Sequence, residues 1–432
     1  MTHFIHEVRA LSLTFKAPYR PEKTDMSRSN WPIGLILLTG ASILSTPLLA
    51  ADDSASPKPF GHLNWDSDDG TKSLDFGGSV RLNHRYEDWK TSSNDPARLL
   101  FDIARFEVKG KWDQFYLDGG YTFQDRNRRS IEHALVGYKF QEGDDLQLGI
   151  VYKPFGIYPY PENGWTFHIP YFLGYADSAA PGLKYSHPLG DWNLQAAFFP
   201  RMIPADRRYT PEVGTYSDLK ENALASLHGQ DNEKRNQLDL RLARSWGSDG
   251  WKNESGVSLA GSQVYNGTTD RNGTYWAAAA HTTLSKGPWS TQLMGIRYQY
   301  NLQNPEGVSD ASVLMGANAA SPAYLVAAKG DVGLLNIGYT LDTPQLGKIK
   351  SVKFYNDYSV LHKDQAKWNS SQMDTLGVKL LAGPIVTWLD LTWGKNANPY
   401  GGAENGTGWT STTSSGSNEW YFRTNVNIGY YF

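Results

Sequence analysis

Cysteine is absent from the 432 residues, so disulfides, thiolate metal sites and cysteine nucleophiles are all excluded. Long apolar runs are missing as well. Past the N-terminal region no stretch reaches the roughly eighteen consecutive apolar residues that a transmembrane helix needs. Charge is also sparse, at 20% of residues against a usual quarter or so. Leu-rich helical stretches are few. If the mature chain enters a membrane, it must do so as strands.

What fills the space is aromatic and small. Aromatic residues reach 13%, Trp and Tyr together number 40, and there are 42 glycines. The mean hydropathy is nevertheless negative, so the rings do not come with general greasiness. This mixture suits many short strands and turns rather than helices.

The N-terminal stretch carries a targeting pattern. From Met26, MSRSNWPIGLILLTGASILSTPLLA has Arg28, a short apolar run and small residues ending at Ala50, ahead of a charged segment. That is the order of a secretory signal. Ser42, Ser45, Thr46 and Pro47 interrupt the apolar run and argue against a permanent anchor. Residues 1–25 lack signal character, which makes Met26 the expected start. Cleavage after Ala50 would remove five Lys/Arg from 41 and three Asp/Glu from 44. The remaining 36 and 41 leave a formal charge of −5, which does not suit a nucleic-acid partner. The expected organisation is 1–50 extension and signal, 51–73 periplasmic linker, and 74–432 one β-domain. DSDDG at 66–70 resembles part of a calcium loop but lacks the downstream Glu, so it reads as a turn.

From Leu74 the pattern alternates with period two. Phe76, Gly78, Val80 and Leu82 oppose Asp75, Ser79, Arg81, Asn83 and Arg85. The same alternation recurs through Phe115–Gln124, Leu146–Lys153, Gln237–Leu242 and Val352–Val360. Short joins, such as 111–114, 285–288 and 382–384, alternate with longer ones, such as 155–180, 201–234, 302–330 and 396–418. The count between them is sixteen strands, with both chain ends on the short-turn side. The pattern predicts an all-β, 16-stranded antiparallel transmembrane β-barrel with short periplasmic turns and long external loops, placed in the bacterial outer membrane. Outer-membrane lipid is then one partner. Aromatics near strand ends (Tyr86, Trp112, Phe123, Tyr152, Trp289, Tyr298, Tyr300, Trp393, Trp420, Tyr430) are expected to form interfacial girdles. SPAYLVAAKGD (321–331) would break the alternation as a further strand. It is assigned to a loop, partly helical with the SDASVLMGANA before it.

The region 98–156 carries a family resemblance. Arg105 followed by FEVKGKW, and IEHALVGYKF followed by LQLGIVYKPFG, are similar to the paired strands of the phosphate-selective porin O/P family. The resemblance covers these sixty or so residues well, and PGLKYSHPLGDWNLQAAFF and the terminal aromatic strand more loosely. It implies a trimeric, sixteen-stranded porin, with an anion-leaning pore. Parity supplies an independent test, placing Arg81, Arg85, Arg105, Lys109, Lys111, Lys153 and Arg241 on the lumen face. Rings of such cations can partly replace an anion's hydration shell. Arg126, Arg128 and Arg129 are expected at an external mouth, where they would raise the local anion concentration. Glu107, Asp118, Asp239, Asp357 and Asp390 share the inward parity, so mutual pairing of lumen charges is the competing role.

The segment 157–182 is where porins commonly fold a loop into the pore. It contains no Lys or Arg, only His168 with Glu162 and Asp177. Tyr158, Tyr160, Trp165, Phe167 and Tyr171 make it aromatic, which departs from a phosphate design and favours packing against a wall over solute contact. No Ser–His–carboxylate spacing, phosphate loop or zinc motif is present, so no enzyme activity, cofactor or metal is expected. The expected function is passive diffusion of small hydrophilic solutes or anions. The alternative from another class is a non-conducting structural or adhesive barrel displaying its loops. The last strand, WYFRTNVNIGYYF, is expected to pair with 74–90 and close the barrel, its terminal aromatic resembling an outer-membrane assembly signal.

Overall fold

The computed structural model describes residues 63–90, 97–124, 129–202, 212–213, 229–315, 324–397, 400 and 418–432. Its strands are β1 (Leu63–Asp66), β2 (Lys72–Glu87), β3 (Ala97–Trp112), β4 (Phe115–Gln124), β5 (Arg129–Lys139), β6 (Asp145–Tyr152), β7 (Ala179–Leu189), β8 (Trp192–Arg201), β9 (Asn232–Trp246) and β10 (Trp251–Asn266). They continue with β11 (Arg271–Lys286), β12 (Trp289–Asn301), β13 (Ser312–Met315), β14 (Tyr324–Ala327), β15 (Lys329–Asp342), β16 (Ser351–Lys363), β17 (Ser371–Ala382), β18 (Ile385–Lys395) and β19 (Tyr421–Tyr431). A single helical turn, α1 (Ile169–Phe172), lies in the β6–β7 loop.

Sixteen of these strands, all but β1, β13 and β14, pair antiparallel with their sequence neighbours. β19 pairs with β2, so the sheet closes on itself. Closure leaves no row of unpaired backbone groups facing lipid. The outer surface carries the apolar parity, with Phe76, Phe106, Leu148, Val257, Leu259 and Leu376 each about half exposed. This is the fold class that the alternation predicts.

Turn chemistry explains the short rim. Two-residue turns at Asp113–Gln114, Gly190–Asp191, Gly287–Pro288 and Gly383–Pro384 each begin in the left-handed region, with φ of 52°, 61°, 56° and 62°. Left-handed turn residues match the twist of antiparallel strands. The rims alternate as expected, but their lengths do not strictly do so. β4–β5 and β10–β11 are joined by only four residues (125–128 and 267–270), whereas β15–β16 on the opposite rim takes eight (343–350).

Three other expectations need correction. Residues 63–73 are not linker: β1 folds back on β2, and the DSDDG turn is held by Asp69 accepting from the Thr71 amide at 3.1 Å. Of the stretch assigned to a partly helical loop, Ser312–Met315 and Tyr324–Ala327 pair as β13 and β14 outside the barrel wall's sheet, and Lys329–Asp331 open β15 within it. Tyr298 and Tyr300 are not girdle residues, because both point inward and are almost fully buried.

A bulge shapes the basic wall. Between Arg81 and Leu82 the β2–β3 register skips Asp102, so Phe101 and Phe106 both face lipid although their parity differs. At the seam, Gly78 and Phe432 exchange backbone hydrogen bonds of 2.9 and 3.0 Å. A side chain at Gly78 would meet the Arg105 carbonyl oxygen at 2.2 Å, so this position has room only for glycine. Inside, Asn83 donates to Asn425 at 2.7 Å and accepts from Asn427 at 3.3 Å, lacing β2 to β19. Asn83→Leu should remove two buried hydrogen bonds, leaving Asn427 with Asp102 and Asn425 with Arg423, and cost about 1–3 kcal/mol. A lower urea midpoint for the heat-modifiable gel shift would register it; an unchanged midpoint would show that the seam rests on backbone bonds alone.

Candidate pore and constriction loop

The β6–β7 connection (153–178) does not leave the barrel at the rim but crosses its interior. Its entry is built by the Lys-Pro-Phe-Gly turn. Gly156, at φ 60°, donates its amide to Ser258 Oγ on β10 at 3.0 Å. Its carbonyl accepts from Arg241 Nε on β9 at 3.0 Å. Phe155 and Ile157 bury themselves against Ala260, Met294 and Tyr298 of the inner wall.

Across the lumen, two carboxylates receive the loop's backbone. Asp357 on β16 accepts from the amides of Asn163 and Gly164, both at 2.9 Å, and from Asn163 Nδ2 at 2.7 Å. Asp390 on β18 accepts from the Thr166 amide at 2.7 Å and from the Tyr355 hydroxyl. Each loop amide has left water, and a carboxylate acceptor replaces the lost hydration with a charge-assisted bond. A side chain at Gly164 would come within 3.1 Å of the Tyr355 ring and 3.3 Å of Asp390.

His168 completes the anchorage. Fully buried, it places Nδ1 3.0 Å from Ser359 Oγ and Nε2 2.8 Å from Thr375 Oγ1. Burial pulls its pKa down to about 3, so it is a neutral hydrogen-bonding wedge and not a pore cation. Burial and the neighbouring Asp357 charge push Glu162 up to about 8. Tyr171 is buried under Phe167, the two rings stacked at 3.8 Å. The β13–β14 hairpin packs on the loop, Tyr324 donating its hydroxyl to the Phe172 carbonyl at 2.8 Å. Tyr175, Tyr275, Tyr298 and Tyr300 extend the same apolar cluster, so the inner wall from β10 to β17 is largely covered.

The inner wall of β2, β3 and β19 is rich in guanidinium groups. Arg81 pairs with Asp102 at 2.9 Å, Arg85 with Glu87 at 3.4 Å, and Arg98 with Glu87 at 3.2 Å. Arg105 reaches Glu132 at 2.6 Å and Glu107 at 3.4 Å. Opposite them the loop presents Trp165, which donates to Asp102 Oδ2 at 3.2 Å and lies under Arg423, 5.9 Å from ring to guanidinium. Lys109 and Lys111 stand exposed nearer the short-turn rim, and neither makes an ion pair among the described residues.

Five of the seven expected lumen cations (Arg81, Arg85, Arg105, Lys109 and Lys111) therefore stand on this wall. Lys153 and Arg241 do not. Lys153 is buried in an ion pair with Glu212, which Lys234 also contacts. Arg241 is spent on Gly156, Glu254 and His281. Both lie where the loop covers the wall, and parity alone cannot reveal that cover. Arg129 opens β5 at the long-loop rim and is exposed; Arg126 and Arg128 lie outside the described residues. Of the loop aromatics, Tyr158 is bound by Gln195 at 2.8 Å, while Tyr160, Trp165 and Phe167 keep partial exposure. Arg98 and Arg423 are not among the lumen cations expected from the sequence. Arg423 sits on the polar face of the last strand, and that parity was the available signal.

No protein-family model matches the sequence, and no curated protein sequence matches it. The fold is nonetheless shared with outer-membrane barrels. The outer membrane channel DcaP of Acinetobacter baumannii superimposes with a TM-score of 0.54 at 13% identity, over 85% of this chain and 99% of that one. OmpT, an outer membrane protein of Vibrio cholerae in its trimer form, gives 0.51 at 12% identity, over 84% and 100%. A loop L8 deletion mutant of OmpT gives 0.52 at 12%, with the same coverage. The chain is a closed barrel of the bacterial outer-membrane type.

Anchorage of the loop makes two predictions. Asp357→Ala should leave three donors without their acceptor and weaken local docking by about 1–3 kcal/mol. The amides of Asn163 and Gly164 should then exchange deuterium faster while β2 and β19 stay protected; unchanged exchange would refute the anchor. For His168 the folded pKa lies below the ordinary value of 6.5, so its contribution to stability is lost as pH falls from 6.5 toward 3. Wild type should therefore lose thermal stability faster than His168→Gln between pH 6.5 and 4, and parallel losses would contradict it.

Proposed function

We propose that the chain is an outer-membrane porin, a passive diffusion channel for small hydrophilic solutes that leans toward anions. The observation that carries this reading is the guanidinium wall of β2, β3 and β19 facing the folded-in segment 157–178, which has no Lys or Arg. Acidic partners neutralise much of that wall, so the lean is modest and resides in Arg81, Arg85, Arg105, Lys109 and Lys111. The resemblance of residues 98–156 to the phosphate-selective porin O/P family supports the same reading. The aromatic loop argues against strict phosphate specificity. We extend the family's homotrimeric assembly to this chain as part of the proposal; the trimer form of the similar OmpT is consistent with it.

A second reading has its own support. Loop 153–178, the β13–β14 hairpin and the Glu212–Val213 segment, which bridges to Met315, all occupy the interior. A barrel so filled could be sealed, displaying its loops as a structural or adhesive surface. Planar-bilayer recordings separate the two: discrete conductance steps are expected, and their absence would favour the sealed barrel. In a salt gradient, Arg105→Glu with Lys109→Glu should move the reversal potential toward cation preference. An unmoved potential would remove these residues from the selectivity assignment.

A further inference from the structure

At the long-loop end of the basic wall, three adjacent strands bring their inward side chains to one level. Arg85 on β2 stands in register with Arg98 on β3 and with Asn425 on β19, and Arg423 stands opposite Glu87. Glu87 is in contact with Arg85 at 3.4 Å, Arg98 at 3.2 Å and Lys90 at 3.1 Å. Among the described residues these three cations share one carboxylate, with Arg423 in register beside it. Asp390, the next acid along, is committed to Thr166 and Tyr355.

Arg423 is only 7% exposed, and among the described residues its one hydrogen bond is a 3.4 Å contact with Asn425 Oδ1. Among the described residues its Nε has no acceptor, and neither has the indole Nε1 of Trp89. Buried donors without acceptors are rare and costly, and a planar oxyanion is the natural complement of a guanidinium fork. Arg85 and Arg98 keep about a fifth of their side-chain surface open to the lumen (21% and 23%). Rings flank the cluster: Trp165 lies beneath Arg423, and Trp89 packs on Tyr400 at 5.2 Å.

We propose that this cluster binds the carboxylate of a small aromatic acid, with Arg423, Arg98 and Arg85 taking the carboxylate and Trp165 and Trp89 the ring. The proposal deepens the channel reading and rests on it for its biological sense. A phosphate dianion fits less well. It gains nothing from aromatic faces, and its second charge is repelled by Glu87 within the same cluster.

Isothermal titration of the detergent-folded full-length barrel with benzoate, acetate and inorganic phosphate tests this, because calorimetry needs no ion flow. Benzoate should saturate, with acetate and phosphate each at least roughly tenfold weaker. Arg98→Gln and Arg423→Gln should each weaken benzoate by roughly tenfold, the factor for losing one charge-assisted pair. The heat-modifiable gel shift identifies folded variants, and Arg98, being less buried, serves where Arg423→Gln does not fold. Phosphate binding as tight as benzoate, or benzoate affinity unchanged in both variants, would overturn the site. A sealed barrel that still binds benzoate would refute the channel and keep the site. A conducting barrel with no heat of benzoate binding would refute the site alone.

Discussion

A backbone amide in hydrocarbon has no water to bond, and the rest of this structure depends on meeting that constraint. Sixteen strands meet it by pairing each with the next and the last with the first. The terminal Phe432 is part of that solution, since its amide and carbonyl both bond Gly78. With the sheet closed, apolar side chains can face lipid and polar ones an interior.

The interior then poses the same problem on a smaller scale. A loop drawn into the lumen loses the water that its amides would otherwise bond. Asp357, Asp390 and the Ser359–Thr375 pair take over as acceptors and partners for residues 163–168. The half of the lumen that receives the loop is consequently packed, its tyrosines surrounding buried charges that the loop covers, such as Asp357, Arg241 and the Lys153–Glu212 pair. The opposite half keeps its arginines. This asymmetry, a guanidinium wall against an aromatic loop, gives the barrel its chemical character.

Much of the fold was legible because period two is a local property. Phe76, Val80 and Leu82 announce a lipid face whether or not the rest of the chain is known. The rims followed from turn residues such as Asp113 and Gly287. Length was a poorer guide, since β4 and β5 extend to within four residues of each other. Bulges were illegible: an extra residue at Asp102 changes parity without leaving a distinctive residue behind.

The site was legible only in part. Sequence parity by itself determined which side of the wall Arg81, Arg85, Arg105, Lys153, Arg241, Tyr298 and Tyr300 must choose once the strand registers are known. It placed the first five inward correctly; the two tyrosines, read as girdle residues for their position near a strand end, in fact share the inward parity of Ile296. Only the tertiary structure decided which inward residues meet water. Lys153, Arg241, Tyr298 and Tyr300 are covered by segments distant in sequence, while Arg85, Arg98 and Arg423 gather from both ends of the chain across the seam. The physical reason is that facing inward is set by neighbouring peptide units, whereas solvation depends on whatever else fills the barrel.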